Sequence, residues 1–186
     1  MRTLSILFAI SLAVSAPLAP ADTAAPAAVR DGSHDFDFLY GKWRVHNRLL
    51  EKGADGTQAW QEFDATEDCR SLLDGLGNED FYKTDHWKGF VGMSTRLYDP
   101  AHDQWSIYWT ENDAAGVIET PPVVGSFKGN VGVFVNRHEN GGKPYMVRYT
   151  WTVLGKDKAR WEHAVSRDEG KTWGTDWTMD FTRTAD

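Results

Sequence analysis

The chain has 186 residues, nine of them tryptophan, with a formal charge of −7 and a single cysteine. That length holds one domain, and the acidic balance excludes a surface built for nucleic acid or anionic membrane, since neither attracts a negative protein. One thiol makes no internal bridge, so Cys69 reads as a small core filler rather than a nucleophile.

In chain order, Arg2 and the apolar run 4–14 come first. The run is too short to span a bilayer, which takes about 20 apolar residues, and small residues follow it, as in a secretory leader. Val14-Ser15-Ala16 and Ala19-Pro20-Ala21 both fit the small-x-small cleavage rule; the first would leave Pro17 at the new terminus, so the second is preferred. Residues 1–21 are therefore expected to be a signal peptide, with a retained anchor as the alternative. The Ala/Pro-rich stretch 22–32 reads as a flexible tether. Residues 33–186 remain as one domain, exported to the periplasm or the medium and not inserted in a membrane after processing.

Asp35-Phe36-Asp37-Phe38-Leu39-Tyr40 suggests one helical turn that drops aromatics onto the end of whatever follows. From Lys42 onward the apolar period is two. Trp105, Ile107 and Trp109 alternate with Ser106, Tyr108 and Thr110. Tyr145, Val147, Tyr149, Trp151 and Val153 alternate with Met146, Arg148, Thr150 and Thr152. Trp161, His163 and Val165 form a third set, and Trp177, Met179, Phe181 and Arg183 a fourth. Ser71 to Gly77 reads as a short helix or a wide turn ended by its glycines. Gly/Asn/Asp-rich turns punctuate the rest, such as Gly53-Ala54-Asp55-Gly56 and Glu139-Asn140-Gly141-Gly142. About ten strands are predicted, over 42–50, 57–69, 78–84, 92–99, 104–111, 116–127, 131–138, 144–154, 159–167 and 173–184. Tight loops force antiparallel neighbours. A meander this long must close or split, because open edges invite aggregation. The expected fold is a single all-β, antiparallel up-and-down barrel; a β-sandwich is the alternative.

Gly41-Lys42-Trp43, behind the aromatic turn and opening the first strand, resembles the G-x-W signature of lipocalins and their calycin relatives. That resemblance implies a tryptophan plugging the closed end and an arginine of the last strand over its indole, for which Arg183 is the match. More widely, the chain resembles uncharacterised exported lipocalin-like domains of bacteria. The likeness is carried by Phe36-Asp37-Phe38-Leu39-x-Gly41-x-Trp43, Leu73-Asp74-Gly75-Leu76-Gly77-Asn78, Trp105-Ser106-Ile107-Tyr108-Trp109, Pro121-Pro122-Val123-Val124-Gly125-x-Phe127, Ala159-Arg160-Trp161-Glu162 and Trp177-x-Met179-x-Phe181-x-Arg183. It implies the fold and brings no catalytic residues. A more distant likeness to nitrobindin-type barrels lacks their haem-binding histidine motif, so no cofactor is carried over.

Ser166-Arg167-Asp168-Glu169-Gly170-Lys171-Thr172-Trp173 fits the Asp-box pattern of sialidase propellers. A single copy without paired carboxylates reads as a hairpin device, in which Ser and Asp bond loop amides. His34-Asp35-x-Asp37 offers metal ligands only in isolation, and the same residues suit a helix cap with Ser33. No metal is expected.

The aromatic excess points instead to a lined cavity. If the Trp105/Ile107/Trp109 face points inward, Glu111 ends it, and Tyr149, Trp151, Trp161, His163 and Trp177 join it. These are the candidate site residues, with Trp109, Trp151 and Trp161 against an apolar or aromatic small molecule and His163 or Glu111 orienting it. Arg96 with Gly92 and Ser94, together with Tyr108 and Arg148, falls on the opposite face, which is either the outer wall or a polar lumen for an anionic ligand. The expected function is small-molecule binding in the lumen. One alternative is a calycin-type isomerase or hydratase using His163 and Glu111 as acid and base. Another is an envelope protein that binds partners through outer tryptophans, a second copy of the chain among them.

Overall fold

Period-two patterning becomes ten antiparallel strands: β1 (Gly41–Lys52), β2 (Gln58–Leu72), β3 (Gly77–Thr84), β4 (Phe90–Asp99), β5 (Gln104–Glu111), β6 (Val123–Lys128), β7 (Val131–Asn140), β8 (Lys143–Gly155), β9 (Lys158–Ser166) and β10 (Gly174–Arg183). The computed structural model describes residues 30–113 and 116–184. The leader 1–21 and residues 22–29 of the tether lie outside the described residues. Each strand pairs with its neighbours in sequence, and β10 returns to β1, so the sheet closes into a lipocalin-like barrel. The sandwich alternative is thereby excluded.

Closure follows the expected register. Trp43 faces Arg183, Val45 faces Phe181 and Leu49 faces Trp177 across the β1–β10 seam. The Arg183 guanidinium lies 4.1 Å from the Trp43 ring centroid, a cation–π contact. It also donates to the carbonyls of Tyr40 (2.5 Å) and Phe38 (2.6 Å), tying the last strand to the N-terminal turn. Gly41 has φ of +101° with Arg183 Nη1 3.1 Å from where a Cβ would stand, so both the backbone and the clasp require glycine there.

The predicted helical turn is a 3-10 turn, Asp37–Leu39, and makes no side-chain cap hydrogen bond. Of the three metal-ligand candidates, His34 and Asp37 bond each other at 2.8 Å and Asp35 pairs with Arg30. Phe36 and Leu39 are fully buried beside Trp43, Trp105, Phe127, Phe134, Trp151 and Phe181, which together fill the closed end. Trp43 donates to the Leu39 carbonyl at 2.7 Å and Trp105 to that of Gly32 at 2.9 Å, so the buried indoles keep their hydrogen bonds. Arg30 bridges Asp35 and Asp103, which holds residues 30–32 against this end.

One strand is shorter than expected. The run 116–127 carries strand only from Val123, where β6 first pairs with β5 at Ile107. Pro121 and Pro122 have no N–H to give a ladder. The stretch before them follows β5 as a loop, with Glu119 N donating to the Trp109 carbonyl at 2.8 Å. It thus borders the open end.

The outer wall is charged and cross-paired, as in Arg48–Glu62 (3.1 Å), Arg70–Glu79 (2.7 Å) and Arg160–Asp180 (3.1 Å). A lipid-facing wall would be an apolar band. Among the described residues no helix is long and apolar enough to cross a membrane.

Candidate functional site

Between the plugged end and the loop 116–122 lies a cavity of about 300 Å³. Trp109, Glu111, Tyr149, Trp151, Trp161, His163 and Trp177 all line it. Alternation accounts for this: each lies an even number of positions from a neighbour on its own strand that also faces inward. A second space, lined by Glu119, Pro121, Asn136, His138 and Tyr145, shares Trp109, Tyr149 and His163 with the first and forms its mouth. The ring packing is edge-on: Tyr149 to Trp161 at 5.0 Å and Trp161 to Trp177 at 5.6 Å between centroids. Such walls suit a flat apolar guest.

The site residues differ in how far they are committed to the core. Trp151 is 2% exposed, wedged among Phe36, Phe38 and Phe181. It is floor as much as wall. Trp109, Tyr149 and Trp177 are only partly buried and border the open space. Trp109 lies over Gly92, where any Cβ would meet its indole carbons. Trp177 is held by Asn47, whose Oδ1 accepts from both Trp177 Nε1 and the Tyr82 hydroxyl at 3.0 Å.

The polar groups are arranged differently from the sequence expectation. Glu111 accepts from Trp109 Nε1 at 3.0 Å. His163 takes Asp176, not Glu111, as its carboxylate: Nδ1 bonds Asp176 Oδ1. Strict alternation would turn Asp176 away from Trp177's face. A β-bulge between Thr175 and Trp177 swings it round to the imidazole. Glu119 joins from the mouth loop, and its carboxyl titrates above the usual range through desolvation first and the Glu111 charge second.

The expected placement of Arg96, Ser94 and Gly92 on the face opposite the tryptophans is overturned. The β4–β5 register places Ser94 opposite Trp109 and Arg96 opposite Ile107, so all point inward. Tyr108 and Arg148 do face outward, Arg148 lying over the Trp173 ring at 4.4 Å. Arg96 is 3% exposed; its Nη1 donates to Asp80 and, at 3.0 Å, to Asn78 Oδ1, and its plane lies over Phe36 and Trp151. Glu67 sits beside it, 5% exposed and lining the cavity. Its carboxyl is pushed well above the ordinary range, by burial first and the Asp80 charge second. The signal was present in the sequence: Ala65, Glu67 and Cys69 share one face, and a carboxylate two residues from a buried cysteine is itself placed inward. Cys69 is buried, which raises its thiol pKa further.

Among the described residues no group of three metal-binding side chains converges. The Asp-box segment is the β9–β10 loop, with Gly170 N donating to Ser166 Oγ at 2.8 Å and Thr172 N to Asp168 at 2.9 Å. It lies outside the cavity lining.

Fold and site together describe a closed β-barrel with an aromatic lumen, open at one end. No family model matches the chain, and no curated protein matches it. Among solved structures it is similar to a redesigned beta barrel, at 11% identity and TM-score 0.44, covering 82% of this chain and 96% of that one. It is also similar to EF1p2_mFAP2b bound to DFHBI, at 11% identity and TM-score 0.43, covering 83% of this chain and all of that one.

Proposed function

We propose that this protein binds a flat, apolar or aromatic small molecule in its lumen and that it does so outside the cytoplasm, as an exported lipocalin-like domain. The observation that carries the reading is the cavity of about 300 Å³, walled by Trp109, Tyr149, Trp161 and Trp177 and closed below by Trp151. Its volume lies at the lower end of small-molecule sites. Glu111, Glu119 and His163 at the mouth give a guest its polar contacts.

Titration of indole emission with naphthalene- and quinoline-sized compounds tests the binding. Saturable changes are expected, and Trp109→Ala should weaken them about tenfold or more, since one aromatic contact contributes about 1 kcal/mol beyond its buried area. A flat titration across the panel would sink the reading. N-terminal sequencing of protein recovered outside the cell tests export; the expected first residue is Asp22.

One observation favours a second reading. The His163 imidazole, oriented by Asp176 and facing both spaces, has the arrangement of a general base. Recovery of the bound compound chemically unchanged decides for binding alone. The partner-surface reading draws less support: Trp60 and Trp173, the outer tryptophans among the described residues, each lie under an arginine.

A further inference from the structure

On the outer wall Glu62, Glu79 and Asp180 each take an arginine. At the mouth of the lumen two carboxylates take none. Glu111 is half-buried and receives the Trp109 indole N–H at 3.0 Å; Glu119 is exposed and receives no hydrogen bond among the described residues. Both line the cavity.

The chain brings them together. Residues 116–119 double back beside β5: Gly116 N donates to the Glu111 carbonyl at 3.3 Å, Thr110 Oγ1 to that of Val117 at 3.0 Å, and Glu119 N to that of Trp109 at 2.8 Å. Glu119 thus lies across from Trp109 and one diagonal step from Glu111. Diagonal neighbours of an antiparallel pair stand about 7–8 Å apart, within reach of long side chains, and like charges there repel. The Glu119 carboxyl is raised accordingly, by desolvation first and the Glu111 charge second.

Nothing positive on the lining offsets the pair. Among the described residues Arg96 is the one arginine or lysine that borders the cavity or its mouth, and Asp80 holds it in the floor beside Glu67, so the floor is neutral or negative. His163 bonds Asp176, and His138 stacks on Tyr145 at 5.2 Å. Inside the carboxylates the rings stand at steep angles, Trp161 to Trp177 at 86° and Tyr82 to Trp109 at 66°.

We infer that the lumen takes an organic cation: an aromatic amine whose ring enters first, against Trp109, Trp161 and Trp177, and whose ammonium stops at the mouth between Glu111 and Glu119. The inference rests on the lumen being a ligand site, and it adds the ligand's charge and its direction of entry. An ammonium there relieves the repulsion of the two carboxylates and keeps its outer side in water, so little of its hydration is lost. Nearby indole faces add to the attraction. A ligand carboxylate would bring a third negative charge to the mouth, and an ammonium carried to the floor would meet the Arg96 guanidinium.

Three probes of one shape test it, each titrated into the folded protein by calorimetry near pH 7 and at low salt: 2-naphthylmethylammonium, 2-naphthylmethanol and 2-naphthoate. The ammonium is expected to bind about tenfold more tightly than the alcohol, and the carboxylate more weakly than the alcohol. Glu111→Gln combined with Glu119→Gln should erase the ammonium's advantage and leave the alcohol within about twofold, because the amide replacing Glu111 still accepts the Trp109 N–H. Should the double variant not fold, the single variants decide, each expected to lower that advantage about threefold. Equal affinity for ammonium and alcohol, or tighter binding of the carboxylate, overturns the cation site alone. So does an ammonium preference that survives both substitutions, which would trace it to the chain's general charge of −7. Failure of all three probes overturns it together with the lumen-binding reading.

Discussion

Single positions decide whether the lumen exists. Gly92 has no side chain because the Trp109 indole occupies the space where one would start. Gly92→Ala should therefore displace Trp109, destabilise the barrel by about 1–3 kcal/mol and abolish ligand-induced changes in indole emission. Gly174→Ala is the control: the nearest atom to its Cβ position is Val165 O at 3.9 Å, an ordinary contact. Comparable denaturation midpoints for the two variants would remove the steric account. Trp151 makes a poor probe of binding, although it lines the cavity, because Trp→Ala in a packed core costs about 3–5 kcal/mol before any ligand is involved.

Among the elements, the β9–β10 hairpin carries its own acid-sensitive clamp. Asp168 accepts from Thr172 N at 2.9 Å and Thr172 Oγ1 at 2.6 Å, and Ser166 donates to it at 2.8 Å. The Thr172 hydroxyl first, and its amide second, lower the Asp168 carboxyl to about 2. A depressed carboxylate stabilises the fold above its ordinary value of 3.8 and loses that contribution as pH falls through the depressed one. The Thr172 amide proton should report a titration with midpoint near 2, read by NMR; a midpoint near 3.8 would mean that the clamp is not formed in solution. The same hairpin contains the bulge at Asp176, so the loop and the His163 partner belong to one structural unit.

For the whole barrel, the buried floor makes stability depend on pH in the opposite sense. Glu67 faces Asp80 and Tyr82 from β3, Arg96 from β4 and Cys69 along its own strand, and its carboxyl is raised above the ordinary 4.5. Between those two values the folded chain binds a proton that the unfolded chain has lost. Stability from this group is then complete below 4.5 and declines as pH rises toward the raised value. Glu67→Gln should flatten that decline in urea-denaturation free energies measured from pH 4 to 8. An unchanged slope would place the ionisation elsewhere.

Much of the architecture was legible because β structure writes itself locally. Period two, turn residues at short intervals, and Gly41-Lys42-Trp43 opposite Arg183 dictate ten strands, antiparallel neighbours and the closing seam. Which aromatics share a face was legible for the same reason, since residues two apart lie on one side of a strand; that this face points inward was a condition, not a reading. What the sequence did not determine was which faces of different strands look at each other, because that depends on register, and a one-residue slip reverses it. Arg96 is the clearest case: its own strand alternates cleanly, but only the pairing of Ser94 with Trp109 puts it among the tryptophans. Asp176 is the other, moved by a bulge that no periodicity signals. The sequence by itself determined a closed aromatic barrel; tertiary structure alone decided that its floor is charged and which carboxylate holds His163, because both are contacts between strands rather than properties of one.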